Sequence, residues 1–194
     1  MRKLDVAGLW KLEEYAERRP AFRKEVIEHK KNRTVHLGAH LTLLFEDRMT
    51  VQYQVQEMLR IERIFERAGI EEELDAYNPL IPDGSNWKAT CLIEYEDVAE
   101  RARKLVELKG IEDLIWVRVG EHAPVFAIAD EDLDRANDNK TAAVHFLRFE
   151  LDPQSLSAAR GGEIIRFGVD HAAYRHLVEV KEATRKALVA DLAP

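Results

Sequence analysis

Two histidines and a row of charged side chains between residues 36 and 63 could do chemistry by their type and spacing. His36 and His40 stand four apart. On an unbroken strand four residues span about 13 Å, which keeps two rings from sharing one metal ion. If Gly38 makes a tight turn instead, the rings face each other across a hairpin. They then become candidate ligands for a divalent metal, with Glu46, Glu57 or Glu62 completing the shell. No tight ligand motif such as H-E-x-x-H is present, so the polar face of a strand is the plainer reading of both. Glu57, Arg60, Glu62 and Arg63 form the second group. Glu57 and Arg60 lie three apart on an expected helix and can meet on its surface. At about 100° per residue, Glu62 falls between Val51 and Val55 on the apolar stripe. A lone ionised carboxylate there must be paired, protonated or used. In use, it would be a general base with a raised pKa, and Arg60 or Arg63 would hold an anionic substrate. A structural ion pair satisfies the same constraint.

Other reactive residue types carry less. Asp130, Asp132 and Asp134 are spaced like the start of a calcium loop, but Arg135 and Thr141 stand where that loop needs Gly and Glu, which rejects it. His145 alternates with Leu147 and Phe149 and reads as a satisfied core histidine. Asp170 reads as the N-cap of a last helix, with His171 after it. Cys91 alternates with Ala89 and Ile93, as an inert core thiol would. Arg160-Gly161-Gly162 lacks the spacing and lysine of a phosphate loop. No nucleophile-elbow motif places a serine.

The elements that must position these groups follow from periodicity. Helices are expected over 5–18 and 21–31, broken at Arg19-Pro20 because the residue before proline avoids the helical region. Apolar residues at 35, 37, 39, 41, 43 and 45 alternate as in a half-buried strand, or a hairpin broken at Gly38. The spacing predicts a long central helix over 50–67 and a short one over 71–77. Asn78-Pro79 and Pro82-Asp83-Gly84 punctuate a loop. Strands are expected at 89–95, 113–119, 123–129, 142–151 and 163–169, and helices at 97–108, 153–160 and 172–192. The strand at 142–151 is apolar on both faces and belongs inside the sheet. The fold class is α+β: a mixed, largely antiparallel sheet with helices packed on it, N-terminal helices and a long central helix. The 194 residues read as one domain, with a helical and hairpin part over 1–78 and a sheet-rich part over 79–194.

Composition narrows the function classes. The net charge of −7 argues against a nucleic-acid partner. Charge is uneven, and the basic run Lys30, Lys31 and Arg33 reads as a solvated helix end. One cysteine excludes an internal disulfide, a cysteine-rich zinc site and a self-contained iron–sulfur site. No run of about 18 apolar residues or secretory leader is seen, so a cytoplasmic protein without a membrane role is expected.

The segments FEDRMTVQYQVQEMLRIERIF (45–65), LDAYNPLIPDG (74–84) and KTAAVHFLRFEL (140–151) resemble an uncharacterised bacterial family, domain-of-unknown-function family number 3501. The likeness runs from the basic helix near Lys30 to the last helix. The resemblance transfers no catalytic residue or cofactor. Genes of that family commonly sit beside those for rubrerythrin-like proteins and iron–sulfur oxidoreductases. That implies an accessory or binding protein with a redox partner, near peroxide defence or electron transfer. The chain lacks the Glu-x-x-His motifs of a di-iron bundle, since Arg60 stands three after Glu57. Two further readings stay open. One is a metal- or carboxylate-dependent enzyme built on His36, His40, Glu57 and Glu62. The other is a structural homodimer through the helix over 50–67, apolar on two sides.

Overall fold

Alternating burial builds the sheets. The computed structural model describes residues 2–131, 135, 136 and 139–192. Strand β3 (Asn86–Ile93) buries Trp87, Ala89, Cys91 and Ile93 on one face and leaves Lys88, Thr90 and Leu92 half-buried on the other. It lies between β2 (Leu41–Phe45) and β7 (Val144–Glu150), and β1 (Thr34–His36) and β6 (Ile128–Ala129) complete a five-stranded sheet in the order β1-β2-β3-β7-β6. β7 is thus an interior strand, as its two apolar faces require. A second sheet has the order β5-β4-β8-β9, from Val125–Phe126, Ile115–Val119, Ile165–His171 and Tyr174–Glu179. Every pairing between the described strands is antiparallel. The fold is α+β, with two sheets where the periodicity predicts one.

The inner faces of both sheets share one core. Phe167 of β8 is central: its ring centroid lies 4.9 Å from that of Phe45, 5.5 Å from Phe149 and 6.2 Å from Trp87. Burying such aromatic area supplies much of the driving force for closing the sheets together. Leu188 of helix α6 (Glu182–Asp191) and Leu192 just after it enter the same core, and the Trp87 indole donates to Leu188 O at 2.8 Å. Helices α4 (Val98–Glu107) and α5 (Pro153–Arg160) follow the sequence pattern closely.

Four expectations are corrected. Helix α1 (Leu12–Lys30) runs unbroken through Pro20. Tyr15 before the proline and Phe22 and Val26 after it bury with Trp10, Met49 and Tyr53, which holds both halves together. The central helix α2 spans Arg48–Glu62 and stops at Arg63, which adopts the left-handed conformation with φ 56. A second helix, α3 (Arg67–Tyr77), follows it. The helix expected over 172–192 is β9 followed by α6, because Tyr174 and Val178 pack on the core and pair that segment with β8. Asp170 and His171 therefore sit in β8, where Asp170 accepts from the Trp116 indole at 2.8 Å.

Arg33 overturns the fourth reading, of a wholly solvated basic run. Lys31 is exposed, but Arg33 is buried. Its guanidinium donates to Phe45 O at 3.2 Å, Glu46 O at 3.1 Å and Ala187 O at 3.3 Å. It also pairs with Asp191 of α6 and, at 3.4 Å, with Asp47. Asp47 caps α2 by accepting from Thr50 N at 2.9 Å, while Thr50 Oγ1 accepts from Asp47 N at 2.9 Å. His29 closes the group at 2.5 Å from Asp47.

The two aspartates titrate in opposite directions. Burial, opposed by Arg33, pushes the Asp191 carboxyl up to about 6. Burial acts to raise Asp47 too, but Arg33, the Thr50 N–H and His29 outweigh it and hold that carboxyl below its ordinary range. A raised folded-state pKa means the ionised form of Asp191 costs stability, with the cost growing from the ordinary 3.8 to about 6 and constant above. Asp191→Asn keeps a neutral acceptor for Arg33. It should stabilise the protein at neutral pH by on the order of 1–3 kcal/mol. The gain should vanish near the ordinary carboxylate pKa, as read by urea denaturation of both proteins across that range.

Candidate functional site

The β1–β2 hairpin turns at Gly38, whose φ is 76. A Cβ there would lie 2.5 Å from His176 Nε2 and 2.6 Å from the Tyr174 hydroxyl, so only glycine fits beneath β9. Tyr174 clamps the turn twice: its hydroxyl donates to Leu37 O at 2.7 Å and accepts from His40 N at 3.0 Å. Burial holds the Tyr174 phenol above its ordinary pKa, which keeps it protonated for this task.

The turn brings His36 and His40 to one cleft of about 870 Å³, lined also by Thr42, Glu94, Tyr95 and Arg101. Proton accounting assigns both rings. Thr42 Oγ1 donates to Glu94 Oε2 at 2.7 Å, which uses its one hydrogen. The contact of 3.1 Å between His36 Nδ1 and Thr42 Oγ1 must then be donated by the imidazole. His40 Nδ1 lies 2.9 Å from Glu94 O, a carbonyl that can only accept. In both histidines Nδ1 carries the hydrogen. Nε2 of each ring has no protein partner among the described residues. The His40 ring stacks on Tyr95 with centroids 4.0 Å apart, which fixes its plane.

This arrangement supports two kinds of chemistry. A ligand N–H or O–H can donate to either Nε2, and Glu94, Glu96 and Glu100 outnumber Arg101 around the cleft, so a cationic donor fits best. His36 can also act as a base, because its Nδ1–H leads through Thr42 to the Glu94 carboxylate that would stabilise an imidazolium. Anchoring Nδ1 is likewise how metal-bound histidines are oriented. Among the described residues, however, no group of three or more His, Cys, Asp or Glu is placed to hold a metal ion.

The α2 group is not part of this cleft's lining. Glu57 joins α1 to α2: Arg19 holds its carboxylate at 2.7 and 2.8 Å, the Tyr15 hydroxyl donates at 2.7 Å, and Arg60 donates at 3.2 Å. Arg19 above all brings Glu57 down to about 2. Glu62 is exposed rather than set in an apolar stripe, and beside it burial and its own charge raise Glu73 and Tyr77. Arg63 is exposed at the end of α2. Beyond Thr50 of the cap, the buried polar residue on that helix is Gln56, which pairs with Trp10 N at 2.7 Å and Trp10 O at 3.2 Å.

His145 is a satisfied core histidine. Its Nδ1 lies 2.6 Å from Asp130 and its Nε2 2.8 Å from Thr141 Oγ1. Cys91 is buried, and burial raises its thiol far above the reactive range. Asp132 and Asp134 lie outside the described residues. Glu94 and Tyr95 escaped the sequence reading, although continuing the alternation of 88, 90 and 92 puts Glu94 on the outer face. Tyr174 was hidden by the helical reading of its segment.

Two variants test the clamp. Tyr174→Phe should cost about 1–3 kcal/mol by orphaning the backbone groups of Leu37 and His40. Gly38→Ala should cost more, since it adds strain and a clash. Equilibrium denaturation gives both values, and a neutral Gly38→Ala would refute the clamp.

No curated protein matches. A crystal structure of a novel protein of unknown function from Burkholderia pseudomallei K96243 is 48% identical, with 99% of this chain and 100% of that one covered and a TM-score of 0.94. A family model described as protein of unknown function, DUF3501, matches residues 3–192. The chain therefore belongs to the DUF3501 family.

Proposed function

We propose that this is a binding protein whose hairpin cleft takes a small ligand rich in N–H donors, such as a protonated amine. The observation that carries this reading is the pair of imidazoles with Nδ1 committed and Nε2 open, in a cleft where carboxylates outnumber cations. His36 and His40 accept hydrogen bonds, Glu94 supplies charge, and Tyr95 supplies a flat wall. Spermidine tests it by calorimetry, with acetate as the anionic counterpart. The amine should bind saturably, acetate should not, and Glu94→Gln with His36→Ala should abolish binding. Equal binding by that double variant would sink the reading.

The enzyme reading uses the same cleft, with His36 as general base through Thr42 and Glu94. A metal belongs to it only if tag-free protein carries stoichiometric iron, zinc or manganese by elemental mass spectrometry. The accessory role beside a redox partner rests only on what the family resemblance implies. A low-salt pull-down from the native host that recovers no redox protein counts against it.

A homodimer is the second reading, favoured by a separate observation. Ile61 and Phe65 are 62% and 66% exposed. Phe65 borders an apolar hollow of about 430 Å³ lined by Leu9, Trp10, Leu12, Leu59 and Ile64. Light scattering should give twice the 22.4 kDa chain mass, falling to the single mass in Phe65→Glu. A monomer at all concentrations overturns it.

A further inference from the structure

A second cavity lies on the outer face of the five-stranded sheet, between β3, β7 and the end of α3. It encloses about 660 Å³, and Ala76, Pro79, Leu80 and Phe146 supply its apolar wall. Lys88 lines it from β3, directly paired in register with Arg148 of β7. The two cations are treated very differently. Arg148 takes both oxygens of Glu131 at 2.8 and 2.9 Å, and Glu150 at 2.5 Å. Glu150 is further occupied by the Ser85 hydroxyl at 2.6 Å and Asn86 at 3.0 Å, and Asp83 accepts from Ser85 N at 3.1 Å. Lys88 has no carboxylate within salt-bridge distance among the described residues. Its ammonium donates to Pro79 O at 2.5 Å. Nearby, Lys3 donates to Asn78 O at 2.8 Å and Ile81 O at 2.7 Å, so two lysines sit on the carbonyls of one turn.

We propose that Lys88 is a nucleophilic amine that captures an apolar aldehyde in this cavity as an imine. The site is independent of the hairpin cleft. Burial lowers the Lys88 pKa, opposed by Asp83, Glu131 and Glu150 and helped by Arg148, so more of the amine is neutral near pH 7 than for an exposed lysine. The neutral amine can keep one N–H on Pro79 O while its lone pair attacks the carbonyl carbon. A C–N bond forms first. The carbonyl oxygen then leaves as water with the two amine hydrogens, and a C=N bond remains. No oxidant or reductant is needed. Leu80 and Phe146 offer the hydrocarbon part an apolar contact beside the charged lining of Asp75, Asp83 and Glu131.

Benzaldehyde with cyanoborohydride at neutral pH tests this on the intact protein, with peptide mapping by mass spectrometry. Lys88 should be benzylated severalfold faster than the exposed Lys186, because its lowered pKa leaves a larger neutral fraction. Lys88→Arg, checked for an unchanged melting curve, should lose that fast phase alone. Leu80→Asp should slow Lys88 without altering Lys186. Lys88 labelled no faster than Lys186 in the unaltered protein overturns the proposal, whatever the variants do. Fast labelling that survives Leu80→Asp would show a reactive lysine without an aldehyde pocket and overturn the ligand assignment.

Discussion

The buried guanidinium of Arg33 is the interaction on which the rest of the structure depends. It joins the end of α1, the end of β2, the cap of α2 and the last helix through five acceptors. These elements come from distant parts of the chain. A buried cation is costly unless every donor finds a partner. Holding two aspartates against one arginine leaves one of them, Asp191, carrying the burial cost, while Asp47 spends its charge on the helix cap. The arrangement is therefore specific more than it is stabilising. No other basic residue offers the planar fork that reaches so many acceptors at once.

The hairpin is built on that anchor. β1 leaves Arg33 and β2 returns to Phe45 and Glu46, whose carbonyls Arg33 holds. The far end of the hairpin is fixed by the second sheet, through Tyr174 and the close contact over Gly38. With both ends fixed, His36 and His40 are positioned by rigid elements, which is what a preorganised site needs. The carboxylate that completes them, Glu94, stands just past the end of β3, one strand further in.

Carboxylates distinguish structural from available chemistry across the molecule. Glu57, Glu131 and Asp191 are each committed to an arginine. Glu94 is held by a hydroxyl, which leaves its charge uncompensated beside the two histidines. Lys88 is the converse case, a cation whose neighbouring acids are spent elsewhere. Both exceptions face cavities, which is where unspent charge can meet a ligand.

Much of the chain was legible from local pattern. The strands expected over 89–95 and 142–151 and the helix over 153–160 follow from neighbouring residues, because a side-chain period of two or 3.6 is a local property. The helix expected over 172–192 failed because β9 is held by its partner strand, not by its own propensity. Glu62 misled for a similar reason: one stripe of α2 faces the core, but the helix ends at Arg63 and its last turn lies in solvent. Arg33 looked like a surface cation, since nothing near it in sequence reveals Asp191. The sequence by itself determined the α+β class, the strands before β9 in outline and most of the helices. Only the tertiary structure decided that His36 and His40 share a cleft with Glu94, because register and sheet packing are set by burial among residues far apart in the chain.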